Sequence, residues 1–200
     1  MSNLNLPDLP VELIHRILDF LSSSFILGSF RSICSRLRTT VDTYDRFELD
    51  FGSLQNSDVQ LFSRFVQLAN VISLKFSTGY HGKSQCSQLF FSYFDTRQFT
   101  RLRSISFSKI RAAEIRRFFE QISSTNLVSL TMDVYDRDSD DVLAIICPVI
   151  TRSMIRKLYI NNLDYINPTV SWPIQSTLEQ LTIQDCTLVN IVLFFAIHSN

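Results

Sequence analysis

Two hundred residues, 46% apolar and 19% charged, suit one folded domain of ordinary size or a small module joined to a larger one, and exclude general disorder. Nineteen basic side chains balance nineteen acidic ones, so no overall charge draws nucleic acid or an anionic membrane. Four glycines are few for phosphate-cradling loops, while phenylalanine, at 17, is over-used.

The first 41 residues read as helices. The stretch "LPVELIHRILDFL" (9–21) carries Leu13, Ile14, Ile17, Leu18 and Leu21 at helical spacing, and Phe20 widens the stripe. Pro10 suits a first helical turn, where no amide donor is needed, and Glu12 suits the positive end of the helix dipole. Three serines (22–24) interrupt the pattern. A second periodic segment then runs through Ile26, Leu27, Phe30, Ile33, Cys34, Leu37 and Val41, with Arg31, Arg36 and Arg38 on its other face.

After residue 43 the pattern changes. Six short segments share the form LxxLxL: "YDRFEL" (44–49), "VISLKF" (71–76), "LRSISF" (102–107), "LVSLTM" (127–132), "IRKLYI" (155–160) and "LEQLTI" (178–183). Between them lie helix-like stretches at 57–69, with Ser57 as N-cap, and at 87–95, 112–122 and 139–150. Pro148 is expected to kink or end the last of these, and the apolar tail from Leu188 reads as another helix. "STGYHGKSQ" (77–85) reads as a surface loop. Strand, turn and helix recurring every 20–30 residues is the pattern of a leucine-rich-repeat solenoid, in which each unit buries its faces only against neighbours. An α/β domain with parallel strands of the ordinary kind is the alternative. Alternation along such strands sends positions four and six inward and three, five and seven outward.

Cys34, Cys86, Cys147 and Cys186 are widely spaced with no CxxC pair, which suits reduced thiols of an intracellular protein and not a zinc ribbon. The start lacks a secretory pattern, and "LVNIVLFFAI" (188–197) is shorter than the roughly 20 residues a membrane span needs. An apolar end at Asn200 without a polar closing unit fits a fragment of a longer array, or a surface paired there with something else.

No catalytic or metal motif emerges. Asp136, Asp138 and Asp140 open like a calcium loop, but the turn glycine and closing glutamate are missing, so a solvated loop is the expected form. His15, His81 and His198 stand apart, with no HxxxH or HExxH, and neither GxSxG nor a Walker sequence occurs. The run Arg97, Arg101, Arg103, Lys109, Arg111, Arg116 and Arg117 suits an acidic ligand or, more simply, a solvated face. We therefore expect no enzyme activity, no cofactor and no metal.

The opening segment resembles the F-box, which begins with Leu-Pro, then Glu-Leu, Ile-Leu and a final Leu; here these are Leu9-Pro10, Glu12-Leu13, Ile17-Leu18 and Leu21. "ICSRL" (33–37) matches a later block, with Leu37 where the family carries tryptophan, and "SSSF" replaces its Asp-rich link. An F-box of three helices over residues 1–43, followed by leucine-rich repeats over 44–200, is an order that F-box proteins commonly show. The resemblance implies docking on a Skp-type adaptor, and through it on a cullin, by Leu9, Pro10, Ile17, Leu18, Leu21, Leu27, Ile33 and Cys34. It implies a substrate-recognition subunit of a ubiquitin ligase, cytoplasmic or nuclear, that makes no bonds itself. A protein substrate would then lie on the outward strand positions Lys75, Ser106, Thr131, Tyr159 and Thr182, with Ser77, Ser108, Asp133, Asn161 and Gln184 alongside. A repeat scaffold with no ligase, its first helix serving as a cap, is the competing reading.

Overall fold

Pro10 has extended backbone angles and stands just before the first helix, so α1 runs from Val11 to Leu18 and is shorter at both ends than the apolar stretch around it. The computed structural model describes residues 5–52, 56–77, 85–122, 126–133, 139–162 and 177–184. Past α1 the chain tightens, with Phe20 and Leu21 donating their amides to the carbonyls of Ile17 and Leu18 at 3.1 and 3.0 Å. Ser22 then caps α2 (Ser23–Gly28) by accepting the Phe25 amide at 3.3 Å. The single segment expected after residue 25 is divided. Gly28 and Ser29, both poor helix formers, close α2; a 3-10 turn at Phe30–Ser32 follows, and α3 spans Ser35–Asp42. Ile14 and Leu18 of α1 meet Ile26, Leu27, Phe30, Leu37 and Val41 in one buried cluster, in which helices of six to eight residues gain the stability that their own backbones lack.

Six strands follow: β1 (Phe47–Asp50), β2 (Val71–Ser77), β3 (Ser104–Ser108), β4 (Ser129–Asp133), β5 (Lys157–Asn161) and β6 (Gln180–Gln184). All pair in parallel, in chain order from first to last. Parallel neighbours require crossovers, and the first four of the five carry α4 (Asn56–Phe65), α5 (Gln85–Tyr93), α6 (Ala112–Gln121) and α7 (Ser139–Arg152). Strand positions four and six from β2 to β5, from Leu74 and Phe76 to Leu158 and Ile160, are buried.

The first strand departs from the expected frame by two residues. Leu49 pairs with Leu74 and Asp50 with Lys75, so "RFELDF" (46–51), and not "YDRFEL" (44–49), matches the later segments. The shift falls between Phe47 and Glu48. Its effect is to carry Phe51 onto Phe76, where the rings stack at 5.2 Å, and Phe76 stacks in turn on Phe107 at 5.5 Å. Phe90 and Phe118 meet the Phe76 ring on edge from α5 and α6. Each such pair adds about 0.5–1.5 kcal/mol beyond area burial. The phenylalanine excess is thus a ladder filling the space between strands and helices.

Several local expectations also change. Ser57 lies inside α4, which begins at Asn56 and ends at Phe65, with a 3-10 turn at Leu68–Asn70 taking the remainder of the predicted helix. Pro148 does not end α7, which continues to Arg152. The predicted helix from Leu188, Cys186, His81, Asp136 and Asp138 fall outside the described residues. No helix among the described residues is long and apolar enough to cross a membrane.

Candidate protein-docking surfaces

The α1 helix is apolar on two faces. Ile14 and Leu18, four residues apart, are fully buried, while Leu13, Ile17 and Phe20 continue a second stripe at spacings of four and three. Leu13 is 44% exposed and Phe20 90%. Of the eight exposed large apolar side chains among the described residues, six belong to this end: Leu6, Val11, Leu13, Phe20, Phe25 and Ile33. Isolated soluble domains usually scatter their exposed apolar groups, so this concentration singles the module out as a candidate docking surface.

The eight predicted docking residues divide by burial. Ile33 and Pro10 are exposed, and Ile17 is half-buried. Leu9, Leu21 and Cys34 are half-buried against the core. Leu18 and Leu27 are sealed, at 0% and 4% exposure, and carry the module from within instead of offering surface. Leu6, Val11, Leu13, Phe20 and Phe25 were not among the predicted eight. The spacing of Leu13, Ile17 and Phe20 marks them as one helical stripe but does not say that this stripe, and not that of Ile14 and Leu18, faces outward.

Polar contacts fix this end of the chain. Arg36 donates to the Leu9 carbonyl at 3.1 Å, and the His15 ring meets the Thr40 carbonyl at 3.2 Å. Asp19, just past α1, receives the Tyr44 hydroxyl and both forks of Arg46. Burial, reinforced by the bond to Asp19, holds the Tyr44 hydroxyl far above the ordinary phenol range. A groove of about 550 Å3 opens beside this cluster, bounded by Phe20, Leu21, Ser24, Glu48, Asp50 and Lys75. Its charges are already satisfied: Lys75 meets Glu48 at 3.5 Å, and Asp50 accepts the Gly52 amide at 2.9 Å.

The strand register aligns the outward side chains in two rows. Asp50, Lys75, Ser106, Thr131, Tyr159 and Thr182 form one; Ser77, Ser108, Asp133, Asn161 and Gln184 form the next. Tyr159 is the one aromatic in these rows and donates its hydroxyl to Gln184. Asp133 is the hub of the second row, accepting from Ser108 at 3.1 Å, Asn161 at 3.2 Å and Asn162 at 2.7 Å. Lys109 and Asn162, each following a strand, share left-handed backbone angles, φ 57° and 55°. The same tight exit thus recurs in two crossovers, with asparagine the better suited to it.

Among the described residues no three His, Cys, Asp or Glu side chains gather to hold a metal. Cys147 is a half-buried free thiol whose ionisation burial pushes up, away from the reactive thiolate. Residues 6–49 match the F-box domain model, a span that includes the three short helices and all but the last residue of strand β1. The chain therefore carries an F-box domain, the module by which proteins typically bind Skp-type adaptors and which points to an adaptor subunit of a ubiquitin ligase. F-box proteins are generally non-catalytic. No curated protein matches the chain.

Proposed function

We propose that this protein is a substrate-recognition subunit of a Skp–cullin–F-box ubiquitin ligase, working in the cytoplasm or nucleus. The observation that carries the reading is the crowding of exposed apolar side chains onto the span from Leu6 to Ile33 within the matched F-box. A module this small cannot cover all its apolar surface, and a partner that completes the core lowers the free energy of both. In this reading Leu13, Ile17, Phe20 and Ile33 meet the Skp-type adaptor, with Pro10, Leu9, Leu21 and Cys34 at the margin of the contact. Leu18 and Leu27 hold the helices beneath it.

The strand-helix units after residue 43 act in this proposal as a short, irregular leucine-rich-repeat solenoid. Its support is the chain-order row of parallel strands with helices between them. A protein substrate lies on the outward rows, with Tyr159 as the aromatic anchor and Lys75, Ser106, Thr131, Thr182, Asp133, Asn161 and Gln184 around it. Catalysis then arises by holding that substrate close to the charged ubiquitin carrier and needs no reactive group in this chain.

Co-purification tests the reading. The full chain should capture a Skp-type adaptor from a defined mixture, and Leu13→Asp combined with Phe20→Asp should abolish capture while the fold persists. No capture by the wild-type chain overturns the ligase assignment and leaves a repeat scaffold that binds partners by itself.

A further inference from the structure

Away from the F-box, α6 and α7 leave a groove of about 500 Å3 between them, within the range of ordinary ligand pockets. Half-buried Phe119, Ile122 and Val149 line it with apolar surface. Arg116 of α6 and Arg152 of α7 also line it, both exposed, and neither forms an ion pair with any described residue. Other members of the basic run are engaged elsewhere: Arg97 with Asp95, Arg101 with Asp45, and Arg117 over the Phe91 ring. Among the described residues lining the groove Glu120 is the one acid, so together they leave the rim net positive.

A third feature lies in the same wall. Pro148, inside α7, has no amide hydrogen, so the carbonyl of Ala144 lacks the donor that a helix supplies four residues on. Ala144 and Pro148 both line the groove and both are exposed. The site therefore offers an apolar floor, a backbone acceptor and two guanidiniums that favour carboxylates.

We infer that the α6–α7 groove binds an acidic peptide segment of a partner protein, its aliphatic side chains on the apolar floor and its carboxylates on Arg116 and Arg152. The inference is independent of the adaptor reading, since every residue involved lies outside the F-box span of 6–49. A free backbone amide of the peptide completes the Ala144 carbonyl. The charge pattern selects acidic over basic segments, and binding weakens with added salt because the rim is solvent-exposed.

The probe is a fluorescent, end-blocked peptide of about twelve residues with leucines at i, i+3, i+4 and i+7 and glutamates flanking them. A control peptide has lysines in place of the glutamates. Anisotropy with the full chain should show the glutamate form binding at least about tenfold more tightly than the lysine form. Arg116→Glu with Arg152→Glu should remove that preference while the melting temperature and adaptor capture stay as in the wild type. Should charge reversal lower the melting temperature, the paired Gln variants carry the test, with an expected loss of about three- to tenfold in affinity for the acidic peptide. Equal binding of both peptides, binding of neither, or an acidic preference that survives loss of both arginines overturns the inference.

Discussion

Tyr44 donates its hydroxyl to Asp19 across 2.9 Å, while Arg46 grips the same carboxylate with two bonds of 3.0 and 3.1 Å. The exit of α1 is thereby tied to the segment that opens the sheet, 25 residues on. The Tyr44 ring is buried edge-on between His15 and Phe47, at 5.4 and 4.9 Å.

Removing that hydroxyl should cost about 0.5–1.5 kcal/mol, so Tyr44→Phe should lower the urea midpoint modestly. The alkaline limb carries the sharper signal. Burial first, and then Asp19, hold the folded hydroxyl above its ordinary range, so the folded state keeps a proton that the unfolded chain loses near about pH 10. Wild-type stability should therefore be whole below that pH and fall as pH rises beyond it. Tyr44→Phe lacks this component, and the gap between the two proteins should close in alkali. A gap that stays constant through the tyrosinate transition would contradict the assignment.

Leu18 and Phe20 should part company on substitution although they stand two residues apart. Leu18→Ala opens a cavity in the buried cluster and should cost about 2–5 kcal/mol in equilibrium unfolding. Phe20→Asp alters a side chain that is 90% exposed and should move stability by no more than about 0.5 kcal/mol. Adaptor capture should fall strongly in the second variant, whose fold is intact. Undiminished capture by Phe20→Asp would remove that ring from the docking surface.

The phenyl ladder predicts coupled losses. Phe76→Ala should cost about 3–5 kcal/mol, because its ring touches Phe51, Phe107, Phe90 and Phe118. A double-mutant cycle on Phe51 and Phe76 should return about 0.5–1.5 kcal/mol of interaction. Strict additivity in that cycle would mean the stacked pair contributes only by area.

Asp45 meets Arg101 at 2.8 Å, joining residues 56 apart in the chain. The Arg101 hydrogen bond lowers the Asp45 carboxyl below its ordinary range. A depressed folded pKa gives stability that is present above the unfolded value, about 3.9, and disappears as pH falls through the folded one. Both side chains are partly exposed, so Asp45→Asn should cost only about 0.2–1 kcal/mol at neutral pH and nothing in strong acid. Paired thermal scans across that acid range would reveal a cost that persists, which would point to packing and not to charge.

Much of the sheet is legible in the sequence because alternation reports directly on which strand face is buried. Leu130 with Met132 and Leu158 with Ile160 are cases where period two alone marks the core positions. The frame of β1 was not legible. Both Phe47 and Phe51 are apolar at matching parity, and only contact with Phe76 on the neighbouring strand chooses between registers two residues apart. Burial within the F-box was equally hidden, since Leu13 and Leu18 differ in rotation about the helix and not in character. Pro148 misled for a third reason: a proline predicts a break from local geometry, while packing of α7 on its neighbours and of Ile150 in the core keeps the helix going. The groove beside it depends on side chains of two helices and had no signature in either alone.

Strand β1 is at once the last piece of the matched helical module and the first rung of the sheet. In the proposed reading, grip and reach would therefore share one continuous backbone, the strand itself joining handle to blade. Any ligand fixed to the sheet would be swung as a single lever by whatever holds the helices, and its own lysines would be offered along one fixed bearing instead of sweeping an arc.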